Sequence, residues 1–407
     1  MTGRSPSVML RLSNARTAIR SLALDALVVS HLPNIRYLTG FSGTAGLVVL
    51  TAAECLLIVD FRYRAAAKTL VASHTALAEH ITVVVPEQSY DETLTDVLRG
   101  LGARRIGVEG AWMPVSRFNK LSAALAAAAP TPLRSPDACP ALVPTERVIE
   151  QARMVKDEEE IEKFREAGRL IVEMAERAVT LVKPGRSEID IAAELDALIK
   201  QAGFEKPAFE TIVASGPNSA LPHARPTRRV LQDGEGVVLD FGGVYDGYCV
   251  DLTRTVALGD AGADFRRLFA GVAEAQQAAI ASVRPGVMAS QVDAAARGVL
   301  GRYGLEEAFG HGTGHGLGLE VHEEPRIAKA RTGLPDVALE PGMVFTIEPG
   351  VYVDGVGGVR IEDDVLVTDA GCEVLTAGNA DRADQGNETR IARIRGMKTR
   401  IARIREP

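Results

Sequence analysis

Residues 237–255 read VVLDFGGVYDGYCVDLTRT: two apolar β runs, Val237–Phe241 and Tyr248–Val256, each carrying an aspartate, Asp240 and Asp251. A charge inside an apolar run is costly unless something on its face compensates it. The pattern recurs downstream. Glu348 closes FTIE within the run Val344–Pro349, and Glu362 lies in VRIED within Gly358–Val367.

What precedes each pair of runs also recurs. Asp157–Val182 reads as a long amphipathic helix broken by Lys183-Pro184-Gly185, and Asp264–Val283 as another broken by Arg284-Pro285-Gly286. Each break is followed by a capped helix start, Ser187-x-x-Asp190 and then Ser290-x-x-Asp293, whose side chains can satisfy free N–H groups. Those second helices end near Gly203 and Gly304. Helix, break, capped helix, histidine-bearing loop and hairpin thus occur twice. Two related halves whose hairpins share one sheet are expected.

Further toward the N-terminus the periodicity alternates. Ala26–Ser30, Ala45–Thr51, Cys55–Asp60, Ile81–Val85 and Ile106–Val108 read as strands. Arg11–Leu24, Phe61–Ala72, Asp91–Leu101 and Val115–Ala128 read as helices between them, which predicts an α/β layer domain over 1–130. Pro130, Pro132, Pro136, Pro140 and Pro144 forbid a helix there and predict a linker over 131–153. The repeated halves fill 154–377. A basic extension, 378–407, carries TRIARIR twice, with Ile391, Ile394, Met397, Ile401 and Ile404 at helical spacing. It reads as a basic helix or extension, or as a helix that docks on an anionic surface.

Composition narrows the class. Of 407 residues, 46% are hydrophobic and 24% charged, as in ordinary globular proteins. The net charge of -7 argues against a nucleic-acid partner. No apolar run reaches 18 residues, so no membrane span is expected. Met1–Asn14 lacks the apolar core of a signal peptide, and Cys55, Cys139, Cys249 and Cys372 form no C-x-x-C pair. A cytoplasmic protein is expected.

Four carboxylates brought onto one sheet face would repel each other and take up protons unless cations lay between them. Arg360, which shares a strand face with Glu362, and Arg254 can partner one or two of the acids but not all four. Two divalent ions carry enough charge for the set. A further ligand is offered by GHGTGHG at 310–316, with His311 and His315. Its alternating glycines disfavour a helix and suit an extended segment that approaches a site closely. His223, His311, His315 and His322 all fall in loops beside the hairpins. One imidazole with four carboxylates is a hard, oxygen-rich set, suited to Mn2+ or Co2+ at least as well as to Zn2+. Two such ions can acidify a water and clamp a reacting oxygen, which implies hydrolysis.

The order Asp240, Asp251, His315, Glu348, Glu362 resembles the dinuclear-metal aminopeptidases of the pita-bread fold, as do the flanking words GHGTGHGLGLEVHE, FTIEPGVY and GVRIEDD. The resemblance covers Met154 to about Thr376. NIRYLTGFSGTAG, Asn34–Gly46, is similar to the front domain of the Xaa-Pro branch, aminopeptidase P and prolidase. Creatinase shares that architecture without the metal ligands. The resemblance implies an α/β N-terminal domain plus an α+β pita-bread catalytic domain with two pseudo-symmetric halves.

It also implies two divalent metal ions, Mn2+ first, held by Asp240, Asp251, His315, Glu348 and Glu362. A metal-bridging hydroxide would attack the carbonyl before proline and release the N-terminal residue of Xaa-Pro peptides. Glu348 would be ligand and general base, and His322 would stabilise the oxyanion. His223 and His311 would hold the leaving side of the substrate, and Arg360 would orient the ligands beside Glu362. A homodimer acting on peptides with proline at the second position is expected. An Xaa-Pro dipeptidase, a metal hydrolase of another substrate and a non-catalytic binding module on the same fold stay open at this point.

Overall fold

A computed structural model describes residues 6–73, 75–127, 140–333 and 335–378, which divide into two compact units, Met1–Arg153 and Met154–Pro407. In the first unit the elements run α1 (Pro6–Ser21), β1 (Ala26–Val29), α2 (Leu32–Thr39), β2 (Leu47–Thr51), β3 (Cys55–Ile58), α3 (Arg64–Ala72), α4 (Thr75–Ala78), β4 (Ile81–Val84), α5 (Tyr90–Gly100), β5 (Arg105–Glu109), α6 (Val115–Ala127), β6 (Ala141–Thr145) and α7 (Val148–Met154). The six strands form one mixed sheet in the order β4-β3-β2-β1-β5-β6. Val28, Val49, Ile58, Ile106 and Val108 are buried against Leu94 and Leu98 of α5 and Leu121 and Leu125 of α6.

The proline-rich stretch differs from the expected linker. Its described part adds β6 as a parallel strand beside β5 and continues into α7. Pro144 has no N–H to give a ladder, and β6 accommodates it because it lies at the sheet's edge. The repeated basic motif, 389–405, lies outside the described residues.

The second unit opens with α8 (Glu158–Leu181), whose N-cap Asp157 forms a reciprocal capping box with Glu160, and α9 (Glu188–Gln201), capped by Ser187. Then follow β7 (Lys206–Pro207), β8 (Ile212–Ser215), a 3-10 turn (Gly216–Ala220), β9 (Gly236–Tyr245) and β10 (Tyr248–Ala257). The second half repeats the scheme with α10 (Gly262–Ser282), α11 (Ala289–Arg302), β11 (Gly314–Gly316), β12 (Glu323–Ile327), β13 (Val344–Ile347), β14 (Gly350–Val353), β15 (Gly357–Arg360), β16 (Asp363–Thr368) and β17 (Gly371–Val374).

Each half buries one sheet face under its own helices. Phe164 and Ile171 of α8 and Ile191 and Leu195 of α9 pack on Val237, Leu239, Phe241, Val250 and Leu252. Phe265 and Val272 of α10 and Val292 and Val299 of α11 pack on Phe345, Ile347, Val365 and Val367. Side chains alternate along a strand, so the intervening positions face the other way. Those positions are Asp240, Asp251, Thr253, Thr346 and Glu348. The helices thus cover the apolar faces, and the carboxylates are left on the faces they do not cover.

The two hairpins do not share one sheet. β9 and β10 belong to a four-stranded sheet, β13 and β16 to a five-stranded one, and β14 and β15 form a separate ribbon. β10 meets the chain from the end of β15 into the start of β16 through isolated bonds. Glu362 N donates to Thr253 O at 3.2 Å, and Asp251 N donates to Asp364 Oδ2 at 3.1 Å. A continuous ladder would need 360–364 straight, but the chain breaks strand geometry at 361 and 362.

Candidate metal centre

Asp240 and Asp251 come together through hairpin register. Asp251 stands opposite Gly242, and Thr253 stands opposite Asp240, so the two aspartates are diagonal neighbours on one face. The turn that sets this register is Asp246-Gly247, both with positive φ, as a tight two-residue hairpin requires. A Cβ at Gly242 would lie 2.6 Å from the Phe209 ring, so an aromatic side chain covers the same face.

His315 enters on β11, the strand between β12 and β13. A Cβ at Gly314 would lie 1.8 Å from Thr346 O, and one at Gly316 would lie 2.2 Å from Glu324 O. Only glycine lets both neighbours close in, which is what the alternating glycines provide. His315 N donates to Thr346 Oγ1 at 3.1 Å. Its Nδ1 is 3.1 Å from Gly316 O, an acceptor, which places the proton on Nδ1 and leaves the Nε2 lone pair facing the acids. Nε2 is 3.5 Å from Glu348 Oε1 and 4.0 Å from Asp251 Oδ2. Ligand atoms of Asp251, His315 and Glu362 lie within 4.8 Å of one another.

Arginine compensates part of this charge. Arg360 Nη2 pairs with Asp240 Oδ2, and Nε donates to Thr253 Oγ1, whose own proton goes to Glu362 Oε2 at 2.5 Å. Arg254 pairs with Asp363 instead. Among the described residues, Asp251, Glu348 and Glu362 have no arginine or lysine partner. Asp240 Oδ1 and Asp251 Oδ1 are buried and accept no hydrogen bond.

Burial, then repulsion from Glu362 and Asp240, pushes Asp251 well above the usual carboxylate range. Burial, then Glu348 and Asp240, does the same to Glu362. Glu348 rises to about 8, chiefly through burial, against the opposing pull of Arg360. Burial, followed by the neighbouring His322, lowers His315 to about 4, so it is neutral near pH 7. Three carboxylates without a cationic partner and a neutral histidine fit divalent cations: one ion undershoots the charge, and two overshoot it by one.

The other histidines ring this cluster. His322 is exposed, its ring edge-on to His315 at 4.3 Å between centroids, and burial followed by His223 lowers its pKa. His311 Nε2 is 3.1 Å from Tyr352 Oη, and burial lowers its pKa to about 4. His223 is exposed and close enough to depress both His311 and His322.

Several contributors escaped the sequence reading. The Tyr352 hydroxyl accepts from Arg360 Nη1 at 2.7 Å and so links it to His311. Glu188, fully buried at the start of α9, accepts from Ser215 N and Oγ, Asn218 Nδ2, and Thr227 N and Oγ1. It thereby clamps both ends of the loop that carries His223. Its signal was a glutamate beside the helix cap, indistinguishable by pattern from a solvated first-turn acid.

Residues 162–369 match metallopeptidase family M24, and residues 11–155 match the creatinase/prolidase N-terminal domain. An uncharacterized peptidase of Bacillus subtilis strain 168 is 35% identical over 90% of this chain and 98% of its own. The solved Xaa-Pro dipeptidase from Bacillus anthracis is 33% identical with a TM-score of 0.83, over 91% of this chain and 98% of that one. The X-Pro aminopeptidase from Thermotoga maritima MSB8 is 33% identical with a TM-score of 0.76, over 89% and 97%.

Proposed function

The chain belongs to metallopeptidase family M24, and from that premise we propose that it releases the N-terminal residue from peptides with proline at the second position. The observation that carries the reading is the set of carboxylates of Asp251, Glu348 and Glu362, none with an arginine or lysine partner among the described residues, beside the free nitrogen of His315. With Asp240 they would hold two divalent ions, Mn2+ in preference to Co2+ or Zn2+, because the donors are mostly hard oxygens. Bound there, the ions would polarise the scissile carbonyl and acidify the attacking water.

The chain's own groups do the rest. Glu348 Oε1 takes the proton from the attacking water and returns it to the leaving proline nitrogen. His322, neutral near pH 7, donates an N–H to the carbonyl oxygen as negative charge develops there. His311 and His223 hold the leaving side. Arg360 fixes Asp240 with one nitrogen and Tyr352 with another. A Xaa-Pro bond has no N–H, so its site needs an apolar wall rather than an acceptor, and Phe209 over Gly242 supplies one. The same reading takes the enzyme to be a cytoplasmic homodimer, which sedimentation and fractionation test. No helix among the described residues is long and apolar enough to cross a membrane.

A dipeptidase that accepts only Xaa-Pro is the second reading, favoured by the higher TM-score to the Bacillus anthracis enzyme, 0.83 against 0.76 for the aminopeptidase. Turnover of Xaa-Pro, Xaa-Pro-Yaa and Xaa-Ala-Yaa with manganese decides. Release of the first residue from Xaa-Pro-Yaa supports the proposal, and activity confined to Xaa-Pro moves the enzyme to the dipeptidase side. Equal kcat/KM for proline and alanine peptides rejects proline specificity.

A further inference from the structure

Asp293 lies in the first turns of α11, 1% exposed, and does not serve the helix start that its spacing from Ser290 predicts. Met288 occupies the N-cap, and Ser290 Oγ donates to Asp336. Asp293 turns inward instead. Its Oδ2 accepts from Arg297 Nε at 2.7 Å, and its Oδ1 accepts from Thr313 N at 3.1 Å and Thr313 Oγ1 at 2.9 Å. Arg297 donates its other N–H groups to the carbonyls of Phe309 and His311, and its guanidinium carbon sits 4.2 Å from the Phe309 ring centroid. Thr313 passes the connection on, because its carbonyl accepts Glu348 N at 2.7 Å. One ion pair therefore grips residues 309, 311 and 313 and, through Thr313, the backbone of Glu348.

Beyond this ion pair, the His311 ring holds the segment through Tyr352 Oη and Gly312 O. Gly310 and Gly312 leave it with wide backbone freedom. Only Gly314 separates Thr313 from His315. We propose that Asp293 and Arg297 are positioning residues for the metal centre. Asp293, through Thr313, sets the backbone of His315 and Glu348, and Arg297 sets His311. The proposal rests on the reading of His315 and Glu348 as ligands and of His311 as a substrate contact.

The test uses the full chain, titrated with manganese chloride and assayed on Xaa-Pro-Yaa. Asp293→Asn keeps the side-chain shape and is expected to weaken manganese binding and lower kcat, each by about 10–100-fold, with KM little changed. Val299→Ala, a cavity in the same helix, is expected to lower Tm while leaving manganese affinity as in the wild type. Arg297→Lys keeps a cation for Asp293 but loses the fork to two carbonyls. It should raise KM by about tenfold with manganese affinity retained, and it carries the test if Asp293→Asn does not fold. Wild-type manganese affinity in Asp293→Asn, an equal affinity loss in Val299→Ala, or an unchanged KM in Arg297→Lys would each overturn the proposal. Wild-type protein that binds no manganese refutes the reading of the centre, and this proposal with it. Normal wild-type binding with indifferent variants refutes this proposal alone.

Discussion

Replacing Glu348 by glutamine should stabilise the metal-free protein and destabilise the manganese-loaded one. In the chelated fold, burial and the neighbouring Asp240 raise the Glu348 carboxyl from 4.5 to about 8. Between those values the native state holds a proton that the unfolded chain has released. Stability is therefore lost as pH rises through this window. At about 1.36 kcal/mol per pH unit, the loss is roughly 3 kcal/mol by pH 7 and roughly 5 by pH 8. Glutamine keeps the shape and stays neutral. The chelated variant should therefore match the wild type near pH 4.5 and exceed it by about 3 kcal/mol at pH 7. Manganese at a thousand times its Kd should add about 4.1 kcal/mol to the wild type and nothing to a variant that no longer binds it, which reverses the order. Urea unfolding followed by circular dichroism is the assay, because the single tryptophan, Trp112, belongs to the first unit. A chelated variant no more stable than the wild type at pH 8, with the same pH slope, would refute the argument that Glu348 lies in an uncompensated cluster.

Chelation should abolish peptidase activity, and manganese or cobalt should restore it; full turnover by demonstrably metal-free protein would count against the centre. His322→Ala should keep both ions and lose kcat by about 10²–10³-fold, whereas His315→Ala should lose metal as well, so identical metal content and kinetics in the two would break the division of roles. His311 has its pKa lowered from 6.5 to about 4, so the unfolded chain gains a proton in that window that the native state refuses, and stability falls with pH there. His311→Asn should flatten this acid limb by one proton, roughly 3 kcal/mol at its foot, and an unaltered slope in denaturation from pH 7 to 4 would contradict it.

Much of the centre was legible because a carboxylate in an apolar strand advertises its own cost. Asp240, Asp251, Glu348 and Glu362 stand out by that rule, whereas Arg360, expected on the face of Glu362, ends its strand and pairs with Asp240. The helices of both halves were legible from their Pro-Gly breaks and, in the first half, from Ser187 as a cap. Other features were misread where a local signal had two solutions. Ser290-x-x-Asp293 has the form of a cap, yet tertiary partners Asp336 and Thr313 outbid the helix for both side chains. Pro144 excludes a helix and suggests a linker, although an edge strand leaves its missing N–H without consequence. Pro33 and Gly40 bracket α2 as a helix start and stop, and Asp246-Gly247 marks a hairpin longer at both ends than its apolar runs. Tyr352 carried no signal at all, since its value lies in meeting Arg360 and His311 from a separate ribbon.

The centre is drawn from both halves of the second unit, with Asp240 and Glu362 separated by 122 residues of chain (362 − 240). Contacts across so long a loop form slowly, after local helices and hairpins have been made. The hairpin of β9 and β10 can bring its two aspartates together early, but its own cation, Arg254, pairs with Asp363 of the other half, and it carries no histidine. An ion that needs both halves has nothing to grip until the chain is nearly finished. Metal should therefore act as a latch on the completed fold rather than a seed for it. Its kinetic signature is an unfolding rate that drops with added manganese while the folding rate stays constant.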